Sequence, residues 1–172
     1  MDSVPHKSAQ ARSPGPMRRR FALAAWVGLC LAIGIGTGLL FKPGAWFAAL
    51  DKPFFNPPAA LFAPVWTLLY IAMGVAAWRI WCLAASAERT RALRWFGVQL
   101  ALNAAWTPVF FGAHSLPGAM AVIVLMLIAI AITIVRFRQL EQLAAWLLAP
   151  YLAWVSFATV LNGALLALNG NH

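Results

Sequence analysis

Hydrophobic residues in this chain run in five long stretches that are separated by shorter polar segments. The stretches cover about residues 21–41, 59–84, 91–112, 116–135 and 143–168. Each holds about 20 to 26 residues, which is enough for an α-helix to cross a hydrocarbon layer about 30 Å thick. None of them alternates apolar and polar residues as the strands of a membrane barrel do. The pattern therefore predicts an all-α integral membrane protein, built as a five-transmembrane-helix bundle.

The polar segments predict the domain organisation. Residues 1–16 are rich in Ser, Pro and Gly, which is typical of a disordered tail, so residues 17–172 are expected to form a single transmembrane domain. Residues 42–58 are too polar to span a membrane and too rich in aromatic side chains for a plain linker, so they are expected to form an aromatic loop. Within the loop, residues 44–50 are expected to form a short interfacial helix. Asn56 is expected to cap the second long helix.

Composition supports the membrane assignment and narrows the partners. Of 172 residues, 63% are hydrophobic and 10% charged, whereas soluble domains carry about 25% charged residues. A formal net charge of +9 would suggest nucleic acid as a partner of a soluble protein. Here the basic residues cluster between apolar runs, as membrane topology requires. The expected partner is therefore the lipid bilayer, and no nucleic acid is expected.

The basic clusters also predict the orientation. Eleven of the 13 Lys and Arg residues lie in the N-terminal segment or around the loops after the second and fourth stretches. The opposite side carries only Lys42 and Lys52. Because cytoplasmic loops hold the excess of Lys and Arg, the N-terminus is expected in the cytoplasm and the C-terminus outside. The bias favours a bacterial inner membrane over an outer membrane.

Polar and aromatic residues recur every four residues within three of the stretches, so each set shares one helix face. The sets are Trp66, Tyr70 and Gly74 in the second stretch, Gln99, Asn103 and Thr107 with Trp106 and Phe110 beside them in the third, and Trp154, Ala158 and Asn162 in the fifth. Amides facing lipid would be costly, so these faces are expected to point into the bundle. The spacing leaves two interpretations open, namely hydrogen bonds between helices and the wall of a ligand pocket. Pro108 and Pro150 are expected to kink their helices.

Several kinds of chemistry are not expected. Every acidic residue and every histidine lies outside the apolar stretches. A proton relay, cation transport or a haem site with an axial histidine inside the bundle is therefore not expected. No motif for phosphate binding or for a metal site is present in the sequence. The sequence predicts no metal site, no conventional catalytic constellation and no tightly bound cofactor.

A series of motifs occurs in a fixed order along the chain. The motifs are Trp46-Phe47, Lys52–Pro58, Phe62–Gly74, Leu102–Trp106, Phe110–Gly112, Pro150–Trp154, Phe157–Thr159 and Leu161–Asn162. From about residue 21 to 169 the chain resembles the TspO/MBR family, the tryptophan-rich sensory proteins, whose members are also called translocator proteins or peripheral-type benzodiazepine receptors. The resemblance implies a five-helix bundle, usually a homodimer, with a ligand pocket closed by the first loop, so that residues 42–58 would form a lid loop.

The resemblance also implies a ligand. Family members bind porphyrins, and some bind sterols or synthetic benzodiazepine-site ligands, so a porphyrin or another planar hydrophobic molecule is the expected ligand. The motifs and the polar stripes together mark the ligand-binding residues as Trp46, Phe47, Trp66, Tyr70, Asn103, Trp106, Phe110, Trp154, Ala158 and Asn162. Some bacterial members are reported to degrade protoporphyrin in light, which makes Trp66 and Trp154 the candidate catalytic residues.

Three functions follow from these expectations. The first is a membrane sensor that binds a tetrapyrrole, the second a light-dependent porphyrin-degrading enzyme, and the third a transporter of porphyrin or sterol-like ligands. The lack of acidic residues inside the spans and of internal repeats counts against ion-coupled transport. Two departures from the family pattern bear on the ligand. Phe47 stands where many members have Tyr, and residues 161–167 lack the Tyr and Arg of the animal cholesterol motif.

Overall fold

A computed structural model describes residues 15–170, which form seven α-helices and one π-helical segment. The helices are α1 (Pro16–Leu40), α2 (Ala45–Ala49), α3 (Ala59–Trp81), α4 (Ala87–Thr107), α5 (Leu116–Leu140), α6 (Gln142–Leu147) and α7 (Ala149–Asn169). The π-helical segment, Pro108–Gly112, continues α4 directly. Of the predicted disordered tail, residues 1–14 lie outside the described part, whereas Pro16 already belongs to α1.

Helix ends differ from the predicted bounds where local chemistry extends or stops the helix. Pro16 occupies the first turn of α1, where its fixed φ and missing N–H suit a helix start. The C-terminal end of α5 also differs: the helix runs to Leu140, whereas the predicted stretch ends at about residue 135. The extra turn is held by the buried Phe137, which stacks on Phe96 with ring centroids 6.1 Å apart. The hydrophobic pattern ends earlier because Arg136 and Arg138 flank Phe137 on the exposed face.

Side chains cap three of the helices, but the predicted cap at Asn56 is wrong. Ser86 accepts a hydrogen bond from the Arg89 N–H at 3.1 Å, which caps α4, and Ser115 caps α5 in the same way. The N-cap of α3 is instead Pro58, without a side-chain cap. Asn56 lies two residues earlier, where its backbone N–H closes a turn on the Pro53 carbonyl at 3.0 Å.

Pro108 and Pro150, which are expected to kink their helices, both lie where regular α-helix is interrupted. From Pro108 onward the chain widens into the π-helical segment, in which the Ala113 N–H donates to the Pro108 carbonyl at 2.8 Å. The single helix predicted over residues 143–168 is two helices, because α6 ends at Leu147 and α7 restarts with Pro150 in its first turn.

The helices pack around two apolar clusters. The larger cluster runs through the bundle and includes Met73, Ile80, Phe96 and Tyr151. The smaller cluster surrounds Phe110 and lies against the predicted lid loop. Pairs in close contact are α4 with α5, α1 with α3 and α5 with α7. The α1–α3 contact requires glycine at position 74, since a Cβ there would lie 2.6 Å from the Val27 Cα.

Four helical stretches are long and apolar enough to cross a membrane. They are α1, α3, α5 and the combined α6–α7 segment. The predicted third span corresponds to α4 and the π-helical segment, and it is not among the four. Its first turns carry Glu88, Arg89, Arg91 and Arg94, which lower its apolar character. Length and composition therefore show a multi-helix membrane architecture, while the expected count of five spans needs a further argument.

The predicted basic clusters meet at one end of the bundle, which we name the basic end. It comprises the start of α1, the end of α3, the start of α4 and the end of α5. The Trp78 indole N–H donates to the Arg19 carbonyl at 2.8 Å, and the Arg18 guanidinium lies 5.5 Å from the centroid of Trp81. Arg89 donates to the Leu83 carbonyl at 2.7 Å. The opposite end, named the loop end, holds residues 41–58, the π-helical segment and the end of α7.

Candidate ligand-binding site

The lid loop contains the expected short helix, α2, and α2 packs directly on the π-helical segment. Trp46 stacks on His114, with ring centroids 4.5 Å apart and an interplanar angle of 18°. Trp46 also lies edge-on to Phe110, at 5.6 Å. Phe47 lies edge-on to Phe110 and Phe111, at 5.9 and 5.4 Å. The aromatic side chains of the lid therefore contact a second set of rings, Phe110, Phe111 and His114, which we name the aromatic floor.

Polar contacts hold the lid at its second half. The Asp51 N–H donates to the Asn169 Oδ1 at 2.9 Å, and the Asn169 Nδ2 donates back to the Asp51 carbonyl at 3.0 Å. Phe55 lies edge-on to Phe157 of α7, at 6.4 Å. These bonds are exposed, and each is worth about 0.5–1.5 kcal/mol at most. The lid is thus docked on both the π-helical segment and α7.

Trp106 and Asn162 each have a buried polar atom near the smaller apolar cluster around Phe110. Trp106 stacks on Phe110, with centroids 4.8 Å apart, but its indole N–H has no hydrogen-bond partner within residues 15–170. The Asn162 Nδ2 donates to the Leu116 carbonyl at 3.4 Å, while its Oδ1 accepts nothing from the described residues. Buried polar atoms nearly always have partners, so a free donor and a free acceptor call for an explanation.

A buried hydrogen-bond chain joins α3, α4 and α7. The Tyr70 hydroxyl donates to the Asn103 Oδ1 at 2.7 Å, and the Asn103 Nδ2 donates to the Tyr151 hydroxyl at 3.1 Å. All three side chains are buried. Of the two interpretations of the polar stripes, hydrogen bonding between helices describes Tyr70 and Asn103. Tyr151 is absent from the predicted site, although a tyrosine in an apolar span needs a partner for its hydroxyl.

The two other tryptophans of the predicted site are Trp66, which lies against the hydrogen-bonded tyrosines, and Trp154, which lies on α7. Trp66 stacks on Tyr70 with centroids 5.4 Å apart and meets Tyr151 edge-on at 6.3 Å. Trp154 contacts Phe62 at 5.9 Å and Phe157 at 5.8 Å. Both tryptophans are half-buried. The two candidate catalytic residues therefore have different aromatic neighbours. Trp66 contacts the hydrogen-bonded tyrosines, whereas Trp154 contacts Phe157, the residue of α7 that the lid touches.

The structure arranges the ten predicted residues in three neighbouring groups. The first is the lid and its floor, with Trp46, Phe47, Trp106 and Phe110. The second is the hydrogen-bonded pair of Tyr70 and Asn103, with Trp66 stacked on Tyr70. The third is the α7 face with Trp154, Ala158 and Asn162. The lid contacts the first of these groups directly, through Phe110, and also Phe111. Aromatic residues that the motifs did not assign to the site also line it, namely Phe62, Phe111, His114, Tyr151 and Phe157.

Two open cavities of the described residues lie at the basic end. One, of about 430 Å³, lies between the start of α1 and the end of α3. The other, of about 540 Å³, lies at the start of α4. Neither is lined by any of the ten predicted ligand-binding residues. Within residues 15–170, no group of three or more His, Cys, Asp and Glu side chains could hold a metal ion.

An ion pair fastens the basic end. The Arg79 Nε donates to the Glu141 Oε2 at 2.8 Å, and the Arg79 Nη2 donates to the Oε1 at 3.0 Å. The same carboxylate accepts the backbone N–H groups of Leu143 and Ala144, which caps α6. The Arg79 hydrogen bonds, followed by those backbone donors, hold the pKa of Glu141 below its ordinary value. Glu141 thereby joins the ends of α3, α5 and α6.

Long apolar helices, an aromatic-rich interior and an aromatic loop docked on it define a multi-pass helical membrane protein. The TspO/MBR family model matches residues 26–168. The chain belongs to the TspO/MBR family.

Relatives from bacteria and animals are similar over most of this chain. The tryptophan-rich sensory protein of Cereibacter sphaeroides is 43% identical, with 79% of this chain and 84% of the relative covered. The tryptophan-rich protein TspO of Chlorobaculum tepidum is 41% identical, with 86% and 95% covered. The human translocator protein is 42% identical, with 78% and 82% covered. The similarity therefore extends across kingdoms and over nearly the whole helical domain.

Proposed function

We propose that this protein is a membrane-embedded sensor that binds a planar tetrapyrrole, a porphyrin, beneath the lid. The observation that carries the proposal is the pair of unpartnered polar atoms, the Trp106 N–H and the Asn162 Oδ1, beside the aromatic floor around Phe110. Aromatic walls stack on a flat ligand. A porphyrin with carboxyl groups carries oxygen acceptors for an indole N–H and, on a protonated carboxyl group, an O–H donor for an amide oxygen. The sensory role follows the name of the Cereibacter sphaeroides relative.

Binding at this site requires the lid to move. Trp46 and Phe47 contact Phe110 directly, so a ligand that reaches Trp106 must displace α2. The contacts that oppose this motion are two exposed hydrogen bonds with Asn169, the ring stack of Trp46 on His114 and edge-on ring contacts with Phe110, Phe111 and Phe157, while no residue of α2 is fully buried. Elements with few buried contacts open at low free-energy cost. The lid is therefore the element that couples ligand entry to a change of shape at the loop end.

We further propose that α4 and the π-helical segment form a fifth span. Together they run over Ala87–Gly112, about 39 Å at 1.5 Å per residue, which exceeds the thickness of a bilayer core. Arg89 anchors their start at the basic end, and Phe111 lies under the lid at the loop end. The polar side chains of the middle, Gln99 and Asn103, are buried inside the bundle. The segment thus crosses the same distance as α5, which packs beside it.

With five spans, the charge pattern favours an N-terminus in the cytoplasm and a C-terminus outside, in a bacterial inner membrane. The family resemblance supports a homodimer. Porphyrin is proposed as a reversible ligand and not as a resident cofactor.

The test is a titration of the purified full-length protein with protoporphyrin in the dark, followed by the porphyrin absorption band. Trp106→Phe keeps an aromatic ring but removes the indole N–H, so its affinity is expected to fall about three- to tenfold. The matched control is Trp146→Phe on α6, because Trp146 is 64% exposed and lies near the basic end. Absence of binding by the parent protein, or equal losses in both variants, would contradict the proposal.

Two further measurements test the other two functions: the same titration under illumination, and porphyrin uptake into proteoliposomes. Light-dependent loss of porphyrin with new products, reduced in Trp66→Phe or Trp154→Phe, would replace the sensor with a degrading enzyme. Accumulation of porphyrin inside proteoliposomes would replace it with a transporter. Saturable binding without turnover or uptake is the result expected for a sensor.

A further inference from the structure

We propose that the cavity between α1 and the end of α3, named here the α1 groove, binds an anionic phospholipid. The groove has a volume of about 430 Å³ and is lined by Arg18, Phe21, Ala22, Ala25, Trp26, Leu29 and Trp81. It lies at the basic end, away from the site beneath the lid. The proposal does not depend on porphyrin binding.

The walls of the α1 groove suit an acyl chain. Phe21, Ala25 and Leu29 recur every four residues and so follow one face of α1. The small side chains of Ala22 and Ala25 leave a channel between the larger neighbours. From Arg18 to Leu29 the helix rises about 16 Å, which matches roughly half of a hydrocarbon core about 30 Å thick. A chain lying in the groove would therefore stay within one leaflet.

The mouth of the groove suits a phosphate group. The Arg18 guanidinium lies 5.5 Å from the Trp81 ring centroid, so a cation–π contact holds it above the apolar walls. Within residues 15–170, the salt bridge that forms joins Arg79 to Glu141, so Arg18 has no carboxylate partner there. A planar guanidinium fork binds phosphate oxygens in a bidentate manner.

The charge around the mouth selects the headgroup. Arg19 and Arg20 follow Arg18 on the exposed start of α1. The acidic residues of the described chain at this end are Glu88 and Glu141, and Glu141 is already bound by Arg79. A basic pocket between helices attracts anionic lipids through this kind of field. A zwitterionic lipid brings its own cation into the same field and is expected to bind more weakly.

The first test measures lipid adducts of the purified full-length protein by native mass spectrometry, with phosphatidylglycerol and phosphatidylcholine as probes. Arg18→Gln is expected to weaken phosphatidylglycerol binding about fivefold, because it removes the cation at the mouth. The matched control is Arg20→Gln, which removes the same charge two residues away without altering the lining of the groove. Arg20→Gln is expected to change binding less than about twofold. Equal losses in the two variants would overturn the proposal in favour of a diffuse electrostatic attraction.

The second test fills the groove without changing the charge. Ala25→Leu is expected to reduce phosphatidylglycerol binding, whereas Ala24→Leu, on the exposed neighbouring position, is expected to leave it unchanged. Thermal melting in detergent without added lipid is expected to be the same for both variants. Unchanged lipid binding in Ala25→Leu would overturn the proposal. A lowered dimer fraction with unchanged lipid binding would instead assign the groove to a second copy of the chain.

Discussion

At the scale of the residue, Asn103 connects three helices with one side chain. Asn103→Ala leaves the buried hydroxyls of Tyr70 and Tyr151 without their partner, which is expected to destabilise the bundle by about 1 to 2 kcal/mol. Tyr70→Phe and Tyr151→Phe each remove one bond but keep the ring, so each is expected to have a smaller effect. Thermal melting of the three variants in one detergent measures the order.

The control for Asn103 is Asn56→Ala, whose side-chain amide bonds only to the carbonyl of the next residue, Pro57. This variant is expected to melt within experimental error of the parent. If Asn103→Ala melted with the parent as well, the hydrogen-bonded chain would not contribute to stability.

Ala158 carries a second prediction at this scale, because it is half-buried one turn from both Trp154 and Asn162. Ala158→Thr adds volume and a hydroxyl, and overpacking of this kind costs about 1–3 kcal/mol. If the added volume destabilises the porphyrin-bound protein by this amount, porphyrin affinity is expected to drop roughly 5- to 150-fold. The measurement is the dark titration of the variant beside Ala153→Thr, an exposed position on the same helix. Unchanged affinity with a lowered Tm would show that Ala158 serves packing alone.

At the scale of the element, Glu141 connects the end of α5 and the start of α6 to the last turn of α3. Its pKa is lowered by Arg79, so its stabilising contribution is complete above the ordinary glutamate pKa of 4.5 and is lost as the pH falls through the lower value of the folded state. At pH 7, Glu141→Gln is expected to lower stability by about 1 kcal/mol, or roughly 2–4 °C in Tm. The partial exposure of both side chains limits the effect to this size.

The measurement for Glu141 is Tm against pH for the parent and for Glu141→Gln. The two curves are expected to be parallel above about pH 6 and to converge at acidic pH, below the ordinary glutamate pKa. Glu88→Gln alters a fully exposed carboxylate at the same end and is the control; its effect on Tm is expected to be smaller than that of Glu141→Gln, because solvent screens the contacts of an exposed charge. A constant difference at every pH would mean that the carboxylate charge is not what stabilises this junction.

At the scale of the whole molecule, the prediction concerns orientation. The basic clusters meet at one end, and the lid and the end of α7 meet at the other. Lys and Arg remain on the cytoplasmic side, so a reporter fused to the C-terminus is expected to be active only outside the cytoplasm. Moving the reporter into the loop between α3 and α4 is expected to reverse its activity. A cytoplasmic C-terminus would require either an even number of spans or the inverted orientation.

The sequence by itself determined the helical membrane architecture and the faces that point inward. Both are local properties: apolar runs set the positions of the long helices, and four-residue spacing puts Trp66 and Tyr70 on one side of α3. The family motifs then added the lid and its aromatic pair, and the structure forms the expected short helix there, α2. Prolines indicated where helices break, although the separation of α6 from α7 at Leu148 is sharper than a kink.

Only the tertiary structure decided which inward faces meet. The Tyr70–Asn103 bond joins residues 33 positions apart, and the Asp51–Asn169 bond joins residues 118 positions apart. A periodic pattern shows that a face must be buried, but it does not identify the partner, because many neighbours would satisfy the same apolar or hydrogen-bonding requirement. For that reason the role of Tyr151, the docking of the lid on Phe110 and the α1 groove all depend on the packing of helices that are distant in sequence.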